Sequence, residues 1–423
     1  MKVLYVTASC LTKNTSANMS HNAFIQGLLE NNCEVDILMT KDGWGDPDAA
    51  LPVWEKANYY VYGSEQFKDK LRKIGKKLIQ GNVFNEKAES KSLVSPSLQS
   101  MTGNNECSSP KLRTVAKNIY RFLFPADPLY PLEAAWLKRA SKFKGSYSYD
   151  LLISNSSPAA SHKLAQLLVQ SGNVKAKHWI QIWEDPWYKD LYGEKALIIK
   201  EEEHKLLEAA EDVFYVSPLT MEYQKQLFPD CARKMKHIPL PYLKFCNGSD
   251  LPVQPQVDFG YFGDYYSQTR NLVPFYDALK DSEFTGQIFG DSDLNLQSTD
   301  RITVNSRVTL DVLSNAQDNT KILVHLCNLY GGQIPGKIYH YSASTKPILF
   351  ILDGNDSEKN RLKDYFGQYD RYYFVENDKD SIRSILQFIF DYGLQKPNLP
   401  VEEFSPELVV ASLLEATNRN SAK

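Results

Sequence analysis

Apolar runs with the length of buried strands alternate with helix-like segments along most of this chain. The first unit runs from the strand-like residues 2–8, through a helix that the pattern starts at Ser20, to the strand-like "CEVDILM". Short continuous apolar runs between helices are typical of strands buried on both faces. The alternation therefore predicts parallel sheets covered by helices, the α/β class.

The same alternation starts again in the second half of the chain, at "VDFGYFG". Between the two series, residues 238–256 carry four prolines and follow neither period, as expected of a linker. A chain of 423 residues also exceeds one typical core. We predict an N-terminal Rossmann-like domain at 1–240, a C-terminal one at 257–405 and a helical tail at 406–423, with a cleft between the domains.

Composition excludes several classes of protein. The formal net charge of -3 argues against a broadly basic nucleic-acid binder, so no nucleic acid partner is expected. The six cysteines are scattered and form no CxxC pair, which favours reduced thiols. The sequence shows neither a signal peptide nor a long uninterrupted apolar window, so we expect a cytoplasmic protein.

A basic and polar insertion is predicted at 63–129. Residues 81–110 are rich in Ser and Asn and predict no regular structure. In residues 64–80, apolar side chains recur at helical spacing among six basic and two acidic residues. This pattern indicates a helix on an anionic membrane surface, at the inner face of the plasma membrane. Packing of the helix against the first domain is the alternative.

The turn after the first strand does not suit a dinucleotide. That site needs glycines for close approach to a pyrophosphate, and "SCLTKNTSANMS" contains none. Thr15, Ser16, Asn18 and His21 instead offer hydroxyl, amide and imidazole groups to a hydroxyl-rich acceptor. Capping of the following helix is the alternative.

Two further strand ends in the first half place polar groups at a sheet edge. Asp185 in "WEDPW" follows a strand and precedes a proline, so its carboxylate is a candidate to bind or deprotonate an acceptor hydroxyl; capping a turn is the alternative. Asn155 and Ser156 follow another strand and are also candidates for the acceptor side. His162 is expected on a helix surface.

The segment "GGQIPGKIYHYSASTKPILF" predicts a helix that starts at Pro335 and ends before a buried strand. Gly336 lets a ligand approach the backbone, and the first-turn amides carry partial positive charge. Lys337 adds a full charge beside them, a combination that suits phosphate. A capped helix with a solvated lysine is the alternative.

This segment resembles the corresponding part of the family 4 glycosyltransferases, whose GT-B fold has two Rossmann-like domains facing across a cleft. Together with the pieces below, the resemblance covers most of the chain outside 63–129. The other pieces occur in the family's order: "DLLISNSSPAASHKLA", "IQIWEDPW", "EEEHKLLEAAEDVFYVS", "FPDCARKMKHIPLP" and "FGYFGDYYSQTRNLVPFYDALK".

The resemblance implies a nucleotide-sugar donor whose diphosphate lies at the helix start. Arg270 stands where the family places a cation on that diphosphate, although a surface ion pair would also explain it. The donor-binding residues implied are Gly263, Arg270, Gln333, Pro335, Gly336 and Lys337.

The family's pair of glutamates is missing. Their aligned positions are Gly332 and His340, so His340 stands where the second glutamate contacts the donor. Near a phosphate, the cationic form of a histidine is favoured. The catalytic set predicted in this way is Asp185, His340 and Lys337.

The expected activity is transfer of a sugar from a nucleotide-sugar to a saccharide or lipid-linked acceptor, with retention, in surface polysaccharide or glycolipid assembly. No cofactor is expected, because the nucleotide-sugar is a substrate. No metal is expected either, because the histidines and carboxylates show no ligand spacing. An epimerase or phosphorylase of the same fold, and a non-catalytic sugar-nucleotide-binding scaffold, are the alternatives.

The membrane hypothesis predicts the effect of reversing charges in the basic segment. Each lysine near anionic lipid contributes about 1 kcal/mol, so changing Lys73, Lys76 and Lys77 to Glu should abolish co-sedimentation with phosphatidylserine vesicles. A variant with three Lys→Glu changes in the C-terminal domain controls for net charge. Equal sedimentation of all three proteins would contradict the hypothesis.

Overall fold

Two parallel sheets, each covered by helices, form the body of the protein. The computed structural model describes residues 1–43, 45–63, 129–191, 196–244 and 254–421. The basic segment at 64–80 and the polar stretch at 81–110 lie outside this part of the chain. Within the described ranges, no helix is both long enough and apolar enough to cross a bilayer.

The first sheet has seven strands in the order β3-β2-β1-β4-β5-β6-β7, with every neighbouring pair parallel. The chain reverses its direction of travel across the sheet between β1 and β4, so a crevice opens at their carboxyl ends. The strands are β1 (Lys2–Thr7), β2 (Glu34–Thr40), β3 (Ala57–Tyr62), β4 (Leu151–Ser156), β5 (Trp179–Trp183), β6 (Asp212–Tyr215) and β7 (Met235–His237).

The second sheet has six parallel strands in the order β10-β9-β8-β11-β12-β13. Its reversal point lies between β8 and β11, so both sheets place a crevice at the carboxyl ends of two central strands. The strands are β8 (Val257–Phe262), β9 (Gly286–Phe289), β10 (Ile302–Asn305), β11 (Thr320–Leu326), β12 (Ile348–Leu352) and β13 (Tyr372–Glu376).

Helices connect most of the successive strands and cover the sheets. All five residues of β12 are fully buried, as its continuous apolar sequence predicts. This arrangement confirms the predicted α/β class with two Rossmann-like domains. The helices are α1 (Ser16–Glu30), α2 (Ala134–Ala140), α3 (Ala160–Gln170), α4 (Leu197–Ala209), α5 (Pro218–Leu227), α6 (Val273–Lys280), α7 (Leu310–Asp318), α8 (Lys337–Ser342), α9 (Asp356–Gly367), α10 (Lys379–Phe388) and α11 (Pro406–Ser421).

Four strands escaped the sequence analysis, and all four lie at sheet edges. They are β3, β7, β10 and β13, the outermost strands of the two sheets. The side chains of β3 and β10 are mostly half-buried or exposed, so these strands lack the long aliphatic runs of strands buried on both faces. Their strand conformation comes from pairing with a neighbour, which a local pattern does not reveal.

Two helix starts differ from the sequence prediction. Helix α1 begins at Ser16 rather than Ser20, because the Thr15 hydroxyl accepts a hydrogen bond from the Asn18 amide at 3.1 Å. Helix α8 begins at Lys337 rather than Pro335 and has only six residues. Its entry is a tight turn in which the Ile338 amide donates to the Pro335 carbonyl at 3.3 Å.

The C-terminal helix α11 returns to the first domain and packs against α1. The Asn31 side-chain amide donates to the Glu407 carbonyl at 2.9 Å. Gly27 of α1 permits this contact, because a Cβ there would lie 2.1 Å from the Pro406 carbonyl oxygen. Helix α1 therefore packs closely against the backbone at the start of α11.

This close contact predicts the effect of a single methyl group. Gly27→Ala should lower the free energy of unfolding by about 1–3 kcal/mol, because the obstructing atom belongs to the backbone and cannot rotate away. Gly367→Ala is the matched control. A Cβ added at this helical glycine would meet no atom within 4 Å, so the substitution should be neutral or slightly stabilising. Equal urea midpoints for the two variants would contradict the packing described.

Candidate functional site

The carboxyl edges of the two sheets face each other across a cavity of about 180 Å³. The first domain contributes the start of α1 to its wall, and the second contributes the ends of β8 and β9 and the start of α8. The lining residues are Asn14, Thr15, Ser16, Met19, Phe262, Gly263, Asp264, Arg270, Phe289, Gly290, Arg307, Val308, Leu313, Pro335, Gly336 and Lys337.

Three cationic side chains of the second domain line this cavity: Arg270, Arg307 and Lys337. Arg307 forms an ion pair with Asp264, and its Nε lies 3.9 Å from a carboxylate oxygen of Asp291. Burial lowers the pKa of Lys337 to about 8, and the charge of Arg307 adds to this effect while Asp264 opposes it. The wall is thus a cluster of positive charge for which an anion would be the natural counter-charge.

The backbone closes the bottom of the cavity. Gly290 has φ of +152°, and a Cβ at this position would lie 2.0 Å from the carbonyl oxygen of Gly263. The two loops after β8 and β9 therefore touch through their main chains. This contact places the loop that carries Asp264 beside the loop that leads into β10, and Arg307 follows β10.

The loop before α8 connects the two domains. The Gly332 carbonyl accepts hydrogen bonds from the hydroxyl of Ser217 at 2.6 Å and from that of Thr220 at 3.2 Å. The Gln333 carboxamide donates to both Asp185 and Asp190, the latter at 2.9 Å. We call this set of contacts the Gln333 bridge.

Asp185 sits between opposing influences in this bridge. Burial and the neighbouring Asp190 raise its pKa to about 6, while the Gln333 hydrogen bond and the charge of Arg270 oppose the increase. Arg270 belongs to the second domain and Asp185 to the first, so this opposing effect acts across the domain boundary. Asp185 therefore contacts the donor-side loop, where the sequence analysis assigned it to the acceptor hydroxyl.

His340 is half-buried in α8 and does not belong to the cavity lining. Burial and the nearby charge of Lys337 lower the pKa of His340 to about 3, so its imidazole is neutral at physiological pH. The protein itself therefore favours the neutral form of the His340 imidazole, whereas the sequence analysis expected the cationic form beside a phosphate. A role as the donor contact stays a prediction.

Comparisons with known proteins identify the architecture. Neither a family model nor a curated protein matches the sequence. Solved structures match over nearly the full length of both chains. TarM aligns with a TM-score of 0.56 at 12% identity, covering 98% of each chain. AviGT4, a glycosyltransferase involved in avilamycin A biosynthesis, aligns with a TM-score of 0.54 at 10% identity, covering 100% of this chain and 98% of its own.

A glycosyltransferase from Rickettsia africae ESF-5 aligns with a TM-score of 0.53 at 12% identity, covering 98% of this chain and 97% of its own. The chain has the GT-B fold. The fold expected from the sequence resemblance is confirmed. At identities of 10–12%, the structural similarity establishes the fold alone.

Within the GT-B fold, the first domain holds the residues predicted for the acceptor side in two different settings. Thr15 and Ser16 line the cavity. Asn18, Asn155 and Ser156 are buried, and each has a side-chain oxygen with no hydrogen-bond partner among the described residues.

His21 lies deeper, and both of its ring nitrogens are already engaged. Its Nδ1 lies 3.0 Å from the Tyr5 hydroxyl, and its Nε2 lies 3.1 Å from the Thr7 hydroxyl. The ring is fully buried, because His21 lies three and four residues before Phe24 and Ile25 and so shares the core-facing side of α1. His21 therefore orients Tyr5 and Thr7 instead of facing an acceptor.

His162 is another correction. The sequence analysis placed it on a helix surface, but its ring is fully buried, packs 4.2 Å from the ring of Trp183 and hydrogen-bonds Ser154 at 2.8 Å. Helix α3 turns this residue toward the sheet. The irregular spacing of polar residues in α3 gave no signal of that orientation.

Sequence reasoning missed Arg307, Asp264 and Glu184. Arg307 and Asp264 are 43 residues apart in sequence and meet only because β8, β9 and β10 pair side by side. Glu184 stands beside Asp185 at the end of β5, and the position of a residue just after a strand was the available signal. The fold also brings together His204, Asp230 and Cys231 of the first domain, whose potential metal-binding atoms lie within 4.8 Å of one another. The positions of these residues in the sequence did not indicate this group.

The Gln333 bridge predicts a charge effect on stability. Gln333→Glu would place a third carboxylate beside Asp185 and Asp190 and should lower the free energy of unfolding by about 1–3 kcal/mol. Gln333→Met is the control without added charge: like the Glu variant it loses the two hydrogen bonds donated to Asp185 and Asp190, and it also loses the one accepted from the Leu191 amide.

The difference between the two variants should depend on pH. Asp185 has a raised pKa, so its ionised form opposes folding, and stability falls as pH rises through about 6. The deficit of the Glu variant relative to the Met variant should be largest above that pH and shrink below it, as measured by urea unfolding. Equal stability of the two at alkaline pH would contradict the bridge.

Proposed function

We propose that this protein is a glycosyltransferase that moves a sugar from a nucleotide-sugar to a saccharide or lipid-linked acceptor. The observation that carries the proposal is the convergence of Arg270, Arg307 and Lys337 on one cavity between two Rossmann-like domains. A nucleoside diphosphate supplies the counter-charge that this cluster favours. GT-B neighbours that are named as glycosyltransferases support the same reading.

The side chains, rather than the helix, dominate the electrostatics of the donor side. Helix α8 has only six residues, so its dipole is short. Lys337 and Arg270 would stabilise the negative charge that develops on the departing diphosphate, and Arg307 would add to this while Asp264 and Asp291 hold it in place. Gly263 and Gly336 let the ligand approach the backbone.

The first domain supplies the opposite wall. Thr15 and Ser16 line the same cavity. The Thr15 hydroxyl caps α1, while the Ser16 hydroxyl lies 3.5 Å from where a Cβ on Gly336 would be and would contact the transferred sugar or the acceptor. The Gln333 bridge keeps the two walls at a fixed distance, which aligns donor and acceptor. Retention, and a place in surface polysaccharide or glycolipid assembly at the cytoplasmic face of a membrane, are proposed from the motif resemblance.

Charge removal tests the donor site. Lys337→Ala or Arg270→Ala should weaken binding of UDP, GDP or ADP by about 1.5–3 kcal/mol, the range for hydrogen bonds to charged groups, as measured by calorimetry. Binding by wild type should also weaken as pH rises through about 8, because Lys337 then loses its charge. This pH dependence should be absent in Lys337→Ala.

Arg301→Ala and Lys363→Ala, which remove exposed cations of the same domain, are the matched controls and should bind normally. Unchanged affinity in both test variants would remove Lys337 and Arg270 from the site. Product analysis with UDP-, GDP- and ADP-sugars and extracted lipids then separates the activities. Sugar epimerisation or phosphorolysis would indicate the alternative enzymes of this fold, and binding without turnover would indicate a scaffold.

A further inference from the structure

A group of potential metal-binding side chains lies on the first domain, outside the cavity. His204, Asp230 and Cys231 each offer one such atom, and these three atoms all lie within 4.8 Å of one another. Zinc–ligand bonds of about 2.0–2.3 Å place the ligands of a tetrahedral site about 3–4 Å apart. The three side chains therefore need only small movements to share one metal ion.

Two elements of the first domain bring this group together. His204 lies on α4, and Asp230 and Cys231 lie in the turn between α5 and β7. Backbone hydrogen bonds hold the turn, since the Cys231 amide donates to the Phe228 carbonyl at 3.1 Å and the Lys234 amide donates to the Cys231 carbonyl at 3.1 Å. The ring of Phe228 stacks on that of His204, with centroids 5.8 Å apart and planes 8° from parallel. The turn and the imidazole are thus held by contacts other than those within the group.

Lys234 fixes the turn against α4. Its ammonium group donates to three carbonyl oxygens at the end of that helix, those of Leu207, Glu208 and Ala210, at 3.1, 2.9 and 2.6 Å. These hydrogen bonds use all three protons of the ammonium group. Helix and turn therefore keep a fixed separation, which preorganises the side chains that lie between them.

The donor atoms of the group suit zinc. An imidazole nitrogen, a thiolate sulfur and a carboxylate oxygen are the ligand types of protein zinc sites. Asp230 Oδ2 lies 2.5 Å from the Nε2 of His204, and Glu208, one helical turn after His204, lies 3.9 Å from the same nitrogen. A zinc ion would replace the proton that His204 and Asp230 share, and Glu208 is placed to be the fourth ligand.

The position of Cys231 distinguishes this group from an ordinary surface ion pair. Its side chain is 2% exposed and packs in an apolar cluster with Phe228 and Met235. The side chains of Asp230 and Glu208 are more than half exposed. A metal ion would therefore enter from solvent past the carboxylates and meet the sulfur on its inner side.

The group lies toward the edge of the first sheet that is remote from the cavity. Asp230 and Cys231 come shortly before β7, and α4 ends shortly before β6, so both approach the amino ends of these parallel strands. The cavity lies at the carboxyl ends. A metal ion in this place would join α4 to the turn before β7 and take no part in transfer.

We propose that His204, Asp230 and Cys231 bind a structural zinc ion, with Glu208 as the fourth ligand. The sequence analysis expected no metal, because the histidines and carboxylates show no ligand spacing. These residues converge only where the helix and the turn meet in the fold. The site goes beyond the proposed function, because its metal would stabilise the first domain and leave the donor site unchanged.

The test is zinc binding by the full chain after treatment with a chelator. Wild type should bind one equivalent of Zn²⁺ tightly, and Co²⁺ in its place should show the near-ultraviolet absorption of a thiolate–cobalt bond. Cys231→Ser should remove that absorption. His204→Gln and Asp230→Asn should each weaken zinc binding by about 10–100-fold or more, because loss of a residue that merely supports a metal ligand already costs that much. Cys33→Ser and His178→Gln change a cysteine and a histidine of the same domain outside the group, so these controls should bind zinc normally.

Zinc should also raise the urea midpoint of wild type and of both controls, but not that of the three variants. Asp230 is more than half exposed, so Asp230→Asn provides the comparison if Cys231→Ser does not fold. Wild type that binds no zinc, or zinc binding that all three variants retain, overturns the site. A change in affinity for UDP, GDP or ADP on removal of zinc overturns its purely structural role. Zinc binding at this group by a protein that binds no nucleoside diphosphate supports the site and contradicts only the proposed function.

Discussion

The contact of the loop at Gly332 and Gln333 with the first domain is the constraint on which the candidate site depends. The cations belong to one sheet and the hydroxyl groups to the other, so neither domain holds a complete site. The Gly332 carbonyl accepts hydrogen bonds from two hydroxyl groups, and the Gln333 carboxamide donates hydrogen bonds to two carboxylates. These hydrogen bonds orient the loop against the first domain, and the Gln333 side chain lies between two carboxylates that would otherwise repel each other. The contact thereby sets the distance across which the sugar donor and the acceptor would meet.

The two walls of the cleft have different electrostatic character. The second domain places Arg270, Arg307 and Lys337 on one wall of the cavity, where Asp264 and Asp291 lie beside Arg307. The first domain presents hydroxyls at the cavity and, deeper in the sheet edge, groups that burial keeps neutral. A ligand that is anionic at one end and rich in neutral hydroxyls at the other fits this division, as a nucleotide-sugar approaching a saccharide does.

Some of the residues singled out in the sequence line the cavity, and others are buried inside the protein. The sequence analysis named seven residues that line the cavity, because strand ends and helix starts are recognisable in a sequence. They are Thr15, Ser16, Gly263, Arg270, Pro335, Gly336 and Lys337. His21 and His162 were recognised as polar residues near strand ends, but both point into the protein. His21 lies three residues before Phe24 and four before Ile25, so it shares the buried face of α1 with these two core residues.

The sequence by itself determined the architecture, because the alternation of apolar runs and helices is a local property with a characteristic period for each element. It also predicted where a ligand would bind, since ligands of open parallel sheets bind at the carboxyl ends of the strands. Only the tertiary structure decided which side chains meet there. Asp264 and Arg307 are brought together by strand pairing, and Gln333 reaches Asp185 across 148 residues. Such contacts depend on strand order and on the docking of two domains, which no window of local sequence encodes.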